Sequence, residues 1–213
     1  MGHRFYHADG FFVAAASDTA ENPHVGYGSV NFDDKGLVNF ADVTTQYAGD
    51  GVVFQGFLVT GAQVNLEAVD SGVFYDNTPP SPPMSLSNFY NDNQYLRADI
   101  MRLVFGSPVS GVSLDYNGAG SYGASTLFKV YDSGGVLLDT LTLAAATDSN
   151  YHLLSVPDSN VGYIDIVSPM SGWGHYIDNL TFTRSNNVPD AASTGWLLGV
   201  ALVTFASIRR KLS

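Results

Sequence analysis

From residue 28 to residue 182 the chain is written in short runs that alternate apolar and polar residues, each run closed by turn formers. A period of two over four to eight residues suits half-buried strands and is incompatible with amphipathic helices. Val112, Leu114 and Tyr116 alternate with Ser113 and Asp115, and Phe128 and Val130 flank Lys129. Leu137-Leu138 and Leu141-Thr142-Leu143 follow the turn sequence Asp132-Ser133-Gly134-Gly135. Residues 29–32, 52–59, 64–68, 73–75, 99–105, 163–167 and 176–182 supply the other candidate strands. Such a series, with no long amphipathic helix inside it, predicts an all-β body: a two-sheet antiparallel β-sandwich of jelly-roll type spanning residues 28–184. One strand is out of phase, because Ile177 cannot share a face with Leu180 and Phe182 on a regular strand, so a bulge is expected at Asp178-Asn179. Residues 76–95 read differently. Thr78-Pro79-Pro80-Ser81-Pro82-Pro83 and then Asn88-Phe89-Tyr90-Asn91-Asp92-Asn93 predict an irregular loop, either a solvated spacer or a binding loop.

The C-terminal end obeys another rule. Residues 195–208 carry no charge and would cover about 21 Å as a helix, or about 27 Å counted from Ala191, against a hydrocarbon core of about 30 Å. Trp196, Leu197, Leu198, Val200, Leu202, Val203, Phe205 and Ile208 surround the axis rather than forming a stripe, as a transmembrane helix requires and a core helix does not. Arg209, Arg210 and Lys211 follow at once as a cytoplasmic stop, so the body is expected to face outward.

Residues 188–213 resemble the PEP-CTERM family of bacterial sorting signals, in the variant that opens with Val-Pro-Asp. Val188, Pro189, Asp190, Ser193 and Thr194 occupy the motif positions, with residues 185–194 as linker and sorting motif. The resemblance implies a protein exported to the inner membrane, held there by its tail, processed by an exosortase-type enzyme and destined for the cell surface or exterior. Two positions depart from the pattern: Val-Pro-Glu-Pro is absent, and Ala191-Ala192 stands where the variant often has Ser-Gly.

Charge and composition narrow the partners. The net charge is −11, and the three basic residues of the tail against Asp190 leave the remainder at −13. Such a body repels nucleic acid, leaving neutral glycans, cations or basic proteins. With no cysteine there is no disulfide framework, thiolate metal site or cysteine nucleophile. Residues 1–27 form a leader in which Phe11 to Ser17 resembles the end of a signal peptide, although Asp9 precedes a short apolar stretch. Either a gene start was misplaced downstream of the true signal, or the leader is an unrelated segment.

Enzymatic signals are absent from the spacing. The five histidines, at positions 3, 7, 24, 152 and 175, have no metal-ligand or nucleophile-elbow arrangement, and Asn117-Gly118-Ala119-Gly120-Ser121-Tyr122-Gly123 opens no helix. The expectation is therefore a non-catalytic protein, with a carbohydrate-active enzyme or a purely structural matrix protein as alternatives. Tyr90, Tyr95, Tyr122 and Trp173, in predicted loops near Asn and Asp, are the candidate sugar-binding residues. A flat ring takes the C–H face of a sugar while amides take its hydroxyls.

The ordered set Phe40, Gln46-Tyr47 and Gly51-Val52-Val53-Phe54, then Phe128-Lys129-Val130-Tyr131-Asp132 and Gly135, then residues 176–182, resembles the galactose-binding-like jelly rolls common in bacterial surface proteins and carbohydrate-binding modules. The loop aromatics make a polysaccharide the expected partner, whereas that resemblance bears on the fold more than on the activity. The resemblance implies a structural calcium ion at Asp178, with Asp33, Asp34 and Asp42 as further oxygens; the alternative is a strand-edge carboxylate bonded to nearby backbone.

Overall fold

The computed structural model describes residues 25–70, 79–118, 125–144, 150–168 and 174–185. The leader up to residue 24, candidate strand 73–75, Tyr122, Trp173, the sorting motif and the apolar tail lie outside these residues. Among the described residues no helix is long and apolar enough to cross a membrane.

Among the described residues there are fourteen strands. In chain order they are β1 Val25–Val30, β2 Ala41–Val43, β3 Val52–Phe57, β4 Gln63–Val64, β5 Leu66–Asp70, β6 Met84–Ser87, β7 Phe89–Tyr90, β8 Asn93–Arg97, β9 Ile100–Asn117, β10 Thr126–Tyr131, β11 Leu137–Leu143, β12 His152–Val156, β13 Val161–Val167 and β14 Tyr176–Ser185. A 3₁₀ turn spans Ala48–Asp50. Twelve strands join one antiparallel sheet, and β7 and β8 form a separate hairpin.

The large sheet is folded into two layers by β9. Its first part pairs with β3 and β13, the order there being β11-β10-β13-β9-β3-β4; its second part pairs with β12 and β14, the order being β12-β9-β14-β6-β5-β2. Beyond β6, β1 takes the same side of β14. Alternation along β9 buries Met101, Leu103 and Phe105, then Val109, and after a register shift Val112, Leu114 and Tyr116. The shift falls at Gly111, whose φ of 56° is left-handed and open to glycine without strain. The two layers share one core. Tyr116 on β9 meets Phe128 on β10, which is not its neighbour in the sheet, edge to face at 5.0 Å.

The expected bulge in β14 is present. Asp178 opposes Asp115 and Thr181 opposes Ser113, so three steps on β14 match two on β9, with Asn179 at φ 46°. Ile177, Leu180 and Phe182 thereby all enter the core.

Other expectations need correcting. The expected strands at 99–105 and 112–116 are not two strands but one, since residues 100–105 and 112–116 both belong to β9. The stretch 76–95 is not simply a loop: it contains β6, central in the second layer between β14 and β5, and most of hairpin β7–β8. Ser81, among the prolines, is no spacer either. Its N–H donates to Asp178 Oδ2 at 2.8 Å, and its hydroxyl lies 2.9 and 3.0 Å from the two carboxylate oxygens. Strand β1 also starts at Val25, three residues ahead of the expected boundary.

Candidate functional site

The outer face of the second layer carries polar side chains that would ordinarily be solvated, yet Glu67, Ser85, Ser87 and Asp178 are all fully buried. In part the covering element is hairpin β7–β8. Its tight turn is Asn91-Asp92, both left-handed at φ 60° and 51°, the geometry a two-residue type I′ hairpin requires and Asn and Asp tolerate.

The base of the hairpin is bolted down. Asn88 is fully buried; its side-chain N–H donates to the Ala98 carbonyl at 2.8 Å and its side-chain oxygen accepts the His175 N–H at 2.9 Å. Main-chain bonds run from Asn88 N–H to the His175 carbonyl at 3.2 Å and from Ala98 N–H to the Asn88 carbonyl at 2.8 Å. Phe89 packs edge to face on Tyr176 at 5.8 Å, and the Arg97 guanidinium lies 5.3 Å from the Phe89 ring centre. Four hydrogen bonds and two ring contacts leave the base little freedom.

The tip is held differently. The Asp92 N–H donates to Glu67 Oε1 at 2.6 Å, while Oε2 of this buried carboxyl has no hydrogen-bond partner among the described residues. Burial pushes the Glu67 carboxyl up to about 7, and the negative charges of Asp92 and Asp42 add to the effect. Between base and tip, Tyr90 is half-buried and Tyr95 is 79% exposed. The Tyr95 N–H is taken by the Asn93 side-chain oxygen at 2.8 Å.

Of the sequence-predicted sugar residues, Tyr90 and Tyr95 therefore share one hairpin. Tyr122 and Trp173 lie outside the described residues. Glu67, Asn88 and Arg97 escaped the sequence reading. Glu67 alternates with the apolar residues of β5, a pattern that signals a solvated face.

Of the four candidate calcium ligands, Asp33 lies near enough to Asp178 for its charge to act on it, and each of the four accepts a donor from the protein. Asp33 accepts the Met84 N–H at 2.9 Å, Asp34 the Tyr47 hydroxyl at 3.1 Å, and Asp42 the Asn65 side-chain N–H at 3.0 Å. Asp178 takes Ser81 and, at 2.8 Å, the Asn179 N–H. Among the described residues no group of three or more His, Asp or Glu is placed to hold a metal ion. His175 is buried, which lowers it to about 3, and its Nδ1 pairs with the Tyr116 hydroxyl, itself 2.8 Å from Thr126 Oγ1. The imidazole is neutral and structural.

The fold and site thus define an all-β antiparallel sandwich with a polar, hairpin-covered outer face. No protein-family model matches the sequence, and no curated protein matches it. Among solved structures the chain is similar to the K2 cleaved adhesin domain of Lys-gingipain, at 11% identity over 75% of this chain and 100% of that one, with a TM-score of 0.47. It is also similar to a family 29 carbohydrate-binding module, at 13% identity over 75% and 88% of the two chains, TM-score 0.42. A third is the module TmCBM61 in complex with β-1,4-galactotriose, at 16% identity over 63% and 88%, TM-score 0.38.

Proposed function

We propose that this is an exported, non-catalytic surface protein whose sandwich, of jelly-roll type, associates with exopolysaccharide through hairpin β7–β8. The observation that carries the reading is Tyr95: a large ring 79% exposed on a hairpin whose base is fixed by buried hydrogen bonds. An aromatic face held still in water costs little ordering on binding, and a sugar ring is a natural occupant. Tyr90, Asn91, Asp92 and Asn93 supply neighbouring polar groups. The acidic body favours a neutral glycan over an anionic one.

The tail completes the proposal. The uncharged run 195–208 and the stop at Arg209, Arg210 and Lys211 hold the protein in the inner membrane with its body outward, and Val188, Pro189, Asp190, Ser193 and Thr194 are read by an exosortase-type enzyme that releases it to the surface.

Affinity electrophoresis of the whole protein through gels containing soluble neutral polysaccharides, such as galactan and hydroxyethylcellulose, tests the glycan reading. At least one polysaccharide should retard the protein, and Tyr95→Ala should weaken the retardation about tenfold. Its melting temperature should stay unchanged, because the removed ring is exposed. Equal retardation of parent and variant would remove the hairpin from the account.

A further inference from the structure

The hairpin that carries Tyr90 and Tyr95 has a fixed end and a releasable end. At its base, Asn88 ties together Ala98 and His175 through both side chain and main chain. At its tip the described bond to the sheet is the Asp92 N–H on Glu67 Oε1, 2.6 Å long. This carboxyl is fully buried and half unused, since Oε2 has no partner among the described residues.

We propose that Glu67 is a latch on the tip of hairpin β7–β8, shut while its carboxyl is neutral and released when the carboxyl ionises. The consequence for ligand rests on the reading of the hairpin as the glycan-binding element; the latch itself does not.

The surroundings set the direction. Across β5, Glu67 is flanked by Asp42 of β2 and by Ser87 of β6, and above it stands Asp92 of the turn. The two charged groups facing it are therefore both anionic. Arg97, the hairpin's own cation, is turned over the Phe89 ring. A neutral carboxyl accepts the Asp92 N–H and sits in this site at modest cost. An ionised one accepts that N–H more strongly, but burial and the charges of Asp92 and Asp42 outweigh this gain, because ionisation adds a third negative charge in a place closed to water. The available relief is hydration, and the cover that must lift to admit water is the hairpin tip, because the base is bolted. Burial already pushes this group to about 7, inside the range an exported protein meets. At lower pH the tip is closed and the Tyr90–Tyr95 segment ordered; at higher pH the tip opens and the segment loses its fixed geometry, so affinity for a glycan falls with it.

The test is hydrogen–deuterium exchange on the full chain in mild detergent, from about pH 6 to about pH 8.5, corrected for the intrinsic pH dependence of exchange. Peptides over residues 90–95 should lose about tenfold in protection across that range in the parent, while those over 98–105 stay constant. Glu67→Gln, which cannot ionise, should keep the tip protected at every pH. Should that variant fold poorly, Asp42→Asn, at an exposed position, should shift the transition to lower pH by removing a neighbouring negative charge that holds the Glu67 carboxyl up. Affinity electrophoresis in galactan across the same range is the second arm, with retardation expected to fall as the tip opens. Tip protection that is flat with pH in the parent, or equally pH-dependent in Glu67→Gln, overturns the latch. A tip that opens as described in a protein bound by no polysaccharide at any pH leaves the latch standing and removes the glycan reading.

Discussion

Replacing Asp178 by Asn should abolish a defined share of the pH dependence of stability. Asp178 is fully buried where the bulge of β14 meets Ser81, and burial pushes its carboxyl up from 3.8 to about 6 despite the donors from Ser81 and Asn179. A rise of roughly two pH units corresponds to about 3 kcal/mol, at about 1.4 kcal/mol per unit. The folded state holds the proton more tightly than the unfolded chain. The contribution is therefore fully present below about pH 3.8, falls as the unfolded chain ionises, and is gone once pH has risen through about 6. An Asn side chain keeps the shape but cannot titrate. It should cost about 1–3 kcal/mol at low pH, because its amide nitrogen must face the Ser81 or Asn179 donors. The diagnostic is the trend: the stability difference, parent minus variant, should shrink by about 3 kcal/mol between about pH 4 and pH 7. Glu67 has a raised carboxyl as well, but it is present in both proteins and cancels in the difference. Urea unfolding at a series of pH values, with chelator and again with calcium, measures it. A bound calcium would hold the carboxylate ionised, raise stability and erase the trend. A difference that stays constant over this range in chelator would refute the assignment of Asp178 as a buried, proton-holding carboxyl.

Gly28→Ala should cost about 1–3 kcal/mol in the same assay, since a Cβ there would stand 2.2 Å from the Phe182 ring across the β1–β14 pair, and Phe182→Leu should recover part of the loss. Arg102→Lys should cost about 1–3 kcal/mol, because lysine cannot reproduce the paired bonds to buried Asp165 at 2.6 and 2.8 Å, nor the stacking between Phe57 and Tyr163 at 4.9 and 4.5 Å; recovery of full stability would show the planar fork to be dispensable. In its own host, deletion of residues 195–213 should move the protein from the membrane fraction to the medium, and unchanged partitioning would refute the anchor. Pro189→Ala or Asp190→Ala should block tail processing without affecting insertion, read by the mass of the mature protein.

Much of the architecture could be read locally. Alternation of Val112, Leu114 and Tyr116, or of Phe128 and Val130, marks strands because each has one face on the core. The broken phase among Ile177, Leu180 and Phe182 located the bulge for the same reason: three apolar side chains needed one face and the spacing denied it. Of the candidate site, Tyr90 and Tyr95 were visible as aromatics among turn formers.

Other features were illegible for reasons of range and cover. Strand β6, Met84–Ser87, follows four prolines and is buried on both faces, so its two serines looked like loop residues; they are covered by elements distant in sequence, Tyr151 among them, whose hydroxyl is 2.7 Å from Ser85 Oγ. Glu67 obeys the alternation of an exposed strand face, and only the arrival of the Asp92 turn from 25 positions away makes it a buried acid. Ser81 and Asp178 are 97 positions apart, and four carboxylates that could be grouped on paper were distributed by the fold to four separate sets of donors. The sequence by itself determined many of the core-facing strands and where one must bulge, because periodicity acts within a few residues. The order of the strands, the crossing of β9 between layers and the burial of Glu67 were decided by tertiary structure, because they depend on which distant segment comes to lie against each face.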